Sequence, residues 1–567
     1  MKRHFRLIPG WDNRIYLMLI ACVVGVVSGV AAVLLNLGLH WIGRGIQMIS
    51  NQWAAPAITT AGIVLTVILF RFVFRDKGVH GVPEVIYSIS RRGGALRLRT
   101  APSRLICSII TIASGGSAGP EAPLVISGAS IGSNLARLFR MKEKQRIVLV
   151  GCGASAAIAS IFNAPVTGIL FTMEAVVGEW SRGHLIPIAI AAVVGTEVSH
   201  LFRGNEIVFS HRMFHFSHGD ILAAVLLAVL TAIVAVIFFR LIRWISGQME
   251  KQISSFWLRA IAGGLLVGGA AVLFPDVAGE GYEAVSRMLS GKYDVPIYLL
   301  SAVILAKMVA SAVTSGAGGV GGVFAPSLVV GAMTGVLFSH MANAVYPDSG
   351  LSESGFFALL GMAGVISSIL QAPLTGIFLI LEITGSYNVL LPVVLVSVVS
   401  VTLSSFLEPD SIYHRELFQK GLMLRHRTDA RVLMEMRLTE LIEADCIPIS
   451  PTMTLGDFIE LAKTSTRNYF PVLSEKDGAY LGMVTLDIAK PYMFDRLLYE
   501  TVLVESFMAS SLPEVSSDEE LMEVIRIMDE TGAFSLPVVD DGEFLGLVSK
   551  GTLLDHYRRE MLAQEED

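Results

Sequence analysis

Between Ile15 and Ile42 the chain carries no Lys, Arg, Asp or Glu, and between Ile221 and Phe239 it again carries none. An apolar helix needs about 20 residues to cross a hydrocarbon core, so each run commits the chain to a bilayer. The rest of the composition agrees: 16% of the 567 residues are charged and 53% hydrophobic, against roughly 25% charged in ordinary soluble domains. The first run is too long for a signal-peptide core. Lys2, Arg3, Arg6 and Arg14 precede it, which predicts a cytoplasmic N-terminus on a multi-pass protein of the cell membrane, plasma or inner.

Hydrophobicity ends near Phe406, and the reading divides the chain into a membrane domain at 1–414, a basic linker at 415–436 and two soluble repeats at 437–498 and 499–563. The net charge of -6 mixes an acidic C-terminal part with the basic stretch Arg415 to Arg437. That stretch suits a membrane-proximal inner surface and gives no sign of nucleic acid binding. Cys22, Cys107, Cys152 and Cys446 show neither metal-ligand nor disulfide spacing. Two apolar segments, Ala260 to Phe274 and Ala325 to Phe338, are short and interrupted by Gly or Pro, which predicts half-length helices there.

The membrane part repeats itself. Gly153 to Glu174 aligns without a gap on Gly361 to Glu382 at an offset of 208, both copies passing through Ala-Pro-x-Thr-Gly-Ile before the glutamate. A second block, at an offset of 203, pairs Gly119-Pro-Glu-Ala-Pro123 with Gly322-Val-Phe-Ala-Pro326, and Gly128, Ala129 and Gly132 with Gly331, Ala332 and Gly335. Duplicated membrane halves place their site at the interface between halves, where discontinuous helix ends meet. The soluble part repeats at an offset of 66, Pro471-Val472 matching Pro537-Val538, with short apolar strands alternating with amphipathic helices. This predicts an intramolecular α/β pair.

Three segments carry the chemistry: Gly78-Val-His-Gly-Val-Pro83, Gly115-Gly-Ser-Ala-Gly-Pro-Glu-Ala-Pro123 and Gly316-Ala-Gly-Gly-Val-Gly-Gly-Val-Phe-Ala-Pro326. Each is a Gly-rich turn followed by Pro at a first helical position, leaving unpaired N–H groups facing the turn. Converging helix N-termini attract an anion without a fixed full countercharge, so the ion can bind and still leave. The same glycines would also serve close helix packing, but three such motifs, two of them repeat-related, favour the anion site.

These segments resemble the signatures of the CLC family of chloride channels and proton–chloride exchangers, which read GSGIP, G(K/R)EGP and GxFxP. Here they stand as Val79-His-Gly-Val-Pro83, Gly119-Pro-Glu-Ala-Pro123 and Gly322-Val-Phe-Ala-Pro326, in the family order. Asn163 to Glu174 and Tyr413 extend the likeness, and the soluble repeats resemble tandem CBS domains. The resemblance implies an α-helical multi-pass fold of two inverted repeats of broken and tilted helices with a C-terminal α/β CBS module. It also implies a homodimer, each chain holding its own pathway, with the CBS domains in the cytoplasm.

Position by position, Glu121 resembles the gating glutamate, which competes with chloride when ionised. His80, Gly81, Val82, Gly119, Val323, Phe324 and Ala325 resemble the anion-binding turns, and Tyr413 the inner hydroxyl donor. His80 stands where the family has serine and can both donate to an anion and titrate near neutral pH. Fluoride or nitrate preference therefore stays open beside chloride. Pro120 replaces a basic residue. Ala175 stands where proton-coupled members often carry a second glutamate, which favours a voltage- or pH-gated channel over an exchanger managing without that relay.

Adenine nucleotide is the ligand the resemblance implies for the CBS pair, through Thr485, Asp487 and Ser549. The expected Ser/Thr-x-x-Asp spacing is not kept: Ile488 and Thr552 occupy the aspartate positions, leaving a purely structural module as the other reading. No cofactor is required for transport. A CBS-bearing divalent-cation transporter is the distant alternative, but cation sites need acidic, oxygen-rich linings and the membrane half offers few carboxylates beyond Glu121, Glu174 and Glu382. An enzyme is not indicated, since no Ser/His/Asp, HExxH or phosphate-loop pattern occurs in the apolar half.

Overall fold

The computed structural model describes residues 13–49, 52–75, 81–178, 180–204, 209, 214, 216–345, 351–419, 436–465, 467–510, 512–540 and 542–565. The chain divides into two compact units, Met1–Leu422 and Met423–Asp567. Among the described residues, nine helices are long and apolar enough to cross a membrane.

In the first unit the helices follow one another as α1 (Asn13–Ile49), α2 (Ala55–Ile68), α3 (Val82–Arg91), α4 (Thr100–Ala113), α5 (Glu121–Leu138), α6 (Glu143–Phe162), α7 (Pro165–Phe171) and α8 (Arg182–Arg203). The second half continues with α9 (His218–Gln252), α10 (Phe256–Leu273), α11 (Tyr282–Leu289), α12 (Ile297–Gly316), α13 (Phe324–Val345), α14 (Ser354–Leu370), α15 (Pro373–Thr384), α16 (Leu390–Leu407) and α17 (Ile412–Gln419). The charge-free runs lie in α1 and α9, of 37 and 35 residues. At 1.5 Å per residue both exceed a bilayer core of about 30 Å, which a tilted helix accommodates. α17 runs on into the stretch expected as a linker at 415–436, and residues 420–435 of that stretch lie outside the described residues.

The duplication is visible in the backbone. Asn163 ends α6 and Gln371 ends α14, both left-handed with φ of 53° and 51°. Each is followed by Ala-Pro, and the proline opens the next helix at a position whose N–H would be unpaired in any case. α6 and α14 are buried over most of their length, as helices apolar on every side must be. α6 packs on α5 and α14 on α13 through repeat-related glycines: a Cβ on Gly132 would collide with the Leu149 carbonyl, and one on Gly335 with that of Phe357.

The expectation of half-length helices at Ala260 to Phe274 and Ala325 to Phe338 is corrected. α10 has 18 residues and α13 has 22, and both are long enough to span. The α10 glycines are contact surfaces rather than breaks. A Cβ on Gly264 would stand 2.5 Å from Thr60 Cα and one on Gly268 2.8 Å from the Ala55 carbonyl, both on the approach to α2. The short elements are α3, α7, α11, α15 and α17.

In the second unit β1 (Tyr469–Leu473) pairs antiparallel with β2 (Tyr480–Thr485), and β3 (Ser535–Asp540) with β4 (Glu543–Ser549). Parallel bridges Ile449–Val472 and Val515–Val538 repeat at the expected offset of 66. Each repeat lends a strand edge to the other: Glu443 pairs with Leu547, and Ala509 with Met483. Separate cores form around Phe458 and Phe470 in one repeat and Val524 and Leu536 in the other.

Candidate functional site

The two halves meet at repeat-equivalent glycines. Gly119 N–H donates to the Gly322 carbonyl and Gly322 N–H to that of Gly119, both at 2.7 Å, which sets the start of α5 against the start of α13. The preceding loops are held the same way. Ser117 N–H donates to Thr314 Oγ1, and Val320 N–H to Thr111 Oγ1, each at 3.1 Å; the 203-residue offset carries one bond onto the other, Ser117 onto Val320 and Thr111 onto Thr314. α3 joins through Gly81, where a Cβ would stand 3.7 Å from Ala122 Cβ. Three helix N-termini therefore converge around Ala122.

Their amides are what a helix leaves unpaired. Ser327 N–H is bonded to the Val323 carbonyl at 2.9 Å and Leu124 N–H to that of Pro120 at 3.1 Å, so the N–H groups of Val323, Phe324, Ala325, Glu121 and Ala122 have no acceptor within their own helices. Positive dipole ends aimed at one buried point make an anion site. The sequence motifs placed Pro at the first helical position; Pro83 is second, and Pro123 and Pro326 are third, with Glu121 opening α5. All remain within the first turn, where proline costs no helical hydrogen bond.

Glu121 is 1% exposed. Its Oε1 accepts a hydrogen bond from the Tyr282 hydroxyl. Its Oε2 has no partner of good geometry among the described residues and faces the corner between Gly119 and Ala325, where a Gly119 Cβ would collide with it and stand 2.9 Å from Ala325 N. The carboxylate thus lies where the amides point. Val82 and Phe324 are each 1% exposed. Tyr413, on α17, is buried edge-on to Phe171 at 6.5 Å between ring centroids. Phe171 meets Phe324 at 6.3 Å, Phe324 meets Phe162 at 5.4 Å, and Phe162 meets Tyr282 at 6.3 Å. Five rings therefore connect Tyr413 with Tyr282 past the convergence point. His80 lies outside the described residues.

Ala175 sits on a π-helical turn, Thr172–Val177, and is buried. On the same turn Glu174 caps α15, accepting from Leu374 N–H at 3.2 Å, Thr375 N–H at 2.9 Å and Thr375 Oγ1 at 2.8 Å. Glu382 returns the contact at α7, accepting from Val166 N–H, Thr167 N–H and Thr167 Oγ1. The two glutamates brace the halves crosswise. Sequence reasoning missed Tyr282, which follows a Gly-rich turn, and Glu280 within that turn; neither carries a motif. Lys307, on α12, is fully buried and donates to the Val277 and Gly279 carbonyls, both at 3.0 Å.

In the second unit Thr485 caps the helix Leu486–Met493 by accepting from Ile488 N–H at 3.3 Å, and Asp487 pairs with Lys490 at 2.5 Å. Ser549 caps the helix Lys550–Glu565 and donates to Glu443 Oε1 at 2.6 Å, where the Thr552 hydroxyl also arrives. Arg467 reaches both Glu443 and Asp445, and its guanidinium holds the Asp445 carboxyl below the usual carboxylate range. Sequence reasoning did not single out Glu443.

The pattern of the voltage gated chloride channel family matches residues 61–405. The chain belongs to the voltage gated chloride channel family. CBS domains match at 438–488 and 504–559. This CLC-family chain is 26% identical to chloride channel protein CLC-f of Arabidopsis thaliana, over 96% of its own length and 69% of that protein's. It is 30% identical to the putative chloride channel protein ClcB-like of Ralstonia nicotianae, over 64% and 86%. It is 26% identical to the H(+)/Cl(-) exchange transporter ClcA of Yersinia pseudotuberculosis, over 72% and 89%. Its fold is shared with a slow cyanobacterial Cl-/H+ antiporter, with a TM-score of 0.65 and 22% identity over 73% of this chain and 99% of that one. A eukaryotic CLC transporter gives 0.64 and 18% over 94% and 97%.

Proposed function

We propose that the protein conducts chloride passively through the point where α3, α5 and α13 begin, with Glu121 as a voltage- or pH-sensitive gate. The observation that carries this is the Gly119–Gly322 contact, which sets two helix N-termini face to face with the Glu121 carboxylate in the gap. An ionised carboxylate there mimics the anion it displaces. Passive conduction is favoured by Ala175, a buried methyl where an inward proton relay would need a titratable group. Tyr413 is the inner donor in this reading, with Gly81 and Val82 lining the α3 side. Lys2, Arg3, Arg6 and Arg14 and the basic stretch after Arg415 support cytoplasmic placement of the N-terminus and the CBS module. Two chains form the working unit, each with its own pathway, and a mass of two chains in detergent is the check.

Proton-coupled exchange is the second reading, favoured by the exchange transporters among the relatives and by a gate carboxylate already engaged with a phenol hydroxyl. Liposomes holding the purified protein separate the two. Chloride efflux with no pH change outside supports the channel. Chloride-driven proton uptake would make it an exchanger, and no anion flux at any pH would contradict both.

For the CBS module we propose that adenine nucleotide contacts Ser549 and, in the other repeat, Thr485 and Asp487, and that Glu443 restrains the Ser549 side. A carboxylate bonded to Ser549 and Thr552 repels phosphate and occupies the hydroxyls a ribose would need. Glu443→Gln removes that charge, and ATP binding by calorimetry should tighten about tenfold, the equivalent of one charge interaction of about 1.4 kcal/mol. Equal affinity in the two proteins would dismiss the restraint, and no binding in either would leave the module structural.

A further inference from the structure

We propose that Tyr282 is the latch of the Glu121 gate: its phenol holds the carboxylate across the anion path, and Lys307 fixes the turn that presents it. The proposal rests on the reading of Glu121 as the gate. Tyr282 opens α11, immediately after a turn whose Gly279 and Gly281 have φ of 59° and 83°. The turn is pinned from α12: Lys307 Nζ donates to the Val277 and Gly279 carbonyls, and a Cβ on Gly281 would stand 3.2 Å from Nζ and 2.9 Å from Val329 Cγ2. A fully buried ammonium is costly unless its donors are met, so this lysine ties the turn to α12 rather than facing lipid.

From that turn the Tyr282 ring passes between Phe162, at 6.3 Å, and Phe209, at 5.9 Å, both edge-on. Phe162 in turn packs on Phe324 at the start of α13. The ring is thus held by the residues that line the convergence point, and its hydroxyl reaches Glu121 Oε1. A hydroxyl donating to an ionised carboxylate is among the stronger protein hydrogen bonds. It is made only while the carboxylate sits in the path, so it favours the closed gate specifically.

The charged and titratable groups around the pair are Glu280 on the turn, Lys307 on α12, Arg203 at the end of α8, Asp276 after α10 and Tyr413 on α17. α13 and α14, which pack against α11, carry no acidic or basic side chain except His340. Tyr282→Phe leaves these groups and every ring contact in place and removes one oxygen.

Chloride efflux from liposomes over a pH series, for wild type, Tyr282→Phe, Glu121→Gln and the double variant, tests the latch. With the phenol gone, the ionised carboxylate loses a partner, and the midpoint of the flux profile should move about 1 pH unit or more toward alkaline pH. Glu121→Gln should conduct independently of pH, and adding Tyr282→Phe to it should change nothing further. An unmoved midpoint in Tyr282→Phe, or an effect as large in the Glu121→Gln background as in wild type, overturns the latch. A wild-type pH profile in Glu121→Gln overturns the gate reading itself, and the latch with it.

Discussion

Gly335→Val should yield no folded protein, whereas Gly269→Val should be tolerated. Both glycines lie in apolar helices long enough to span a bilayer, so neither propensity nor hydrophobicity separates them. Their surroundings do. A Cβ on Gly335 collides with the Phe357 carbonyl and stands 2.7 Å from Ala358 Cα, while one on Gly269 meets nothing within 4 Å. The obstacle at Gly335 is the backbone of α14, which no rotamer change relieves. Separating α13 from α14 would forfeit the packing of an almost wholly buried α14 against the buried stretch Phe324 to Val336 of α13. Overpacking of a core costs about 1–3 kcal/mol when side chains can adjust; against a backbone the cost should exceed about 4 kcal/mol, which is exceptional for a single substitution. Size-exclusion chromatography of the two detergent-extracted variants is the check. A monodisperse Gly335→Val peak at wild-type yield would show that the helices have room the structure denies them.

The internal symmetry was legible before the fold. Offsets of 203 and 208 residues, read from matched letters, fall on contacts that obey them: Gly119 with Gly322, the crossed threonines Thr111 and Thr314, and the crossed glutamates Glu174 and Glu382. Repetition is legible because both copies must solve one packing problem with one set of small residues. Helix lengths were less so. Gly264 and Gly268 read as interruptions because a glycine that breaks a helix and one that admits a neighbour are the same letter; only the nearness of Thr60 and Ala55 tells them apart. Tyr282 was not legible at all. It lies in an eight-residue amphipathic helix, and its partner is 161 residues away in sequence. The carboxylate at Ser549 was hidden for a similar reason, since Glu443 arrives by a strand edge lent from the other repeat.

Glu121→Gln should draw an anion to the place its carboxylate now fills. The glutamate occupies a point where the N–H groups of Phe324 and Ala325 and the start of α5 leave partial positive charge. While ionised, it repels chloride approaching within about 4 Å by roughly 4 kcal/mol at an effective dielectric near 20. Glutamine keeps the shape and removes that repulsion, so anion affinity at this point should rise by roughly a hundredfold or more, the largest functional change expected of any single substitution here. Anomalous diffraction from bromide-soaked crystals of wild type and Glu121→Gln at neutral pH measures it most directly. A bromide peak beside Gly119 and the first amides of α13 in the variant, absent from wild type, is the result this account requires. A variant that conducts chloride with no bromide at that point would place the anion path elsewhere and contradict it.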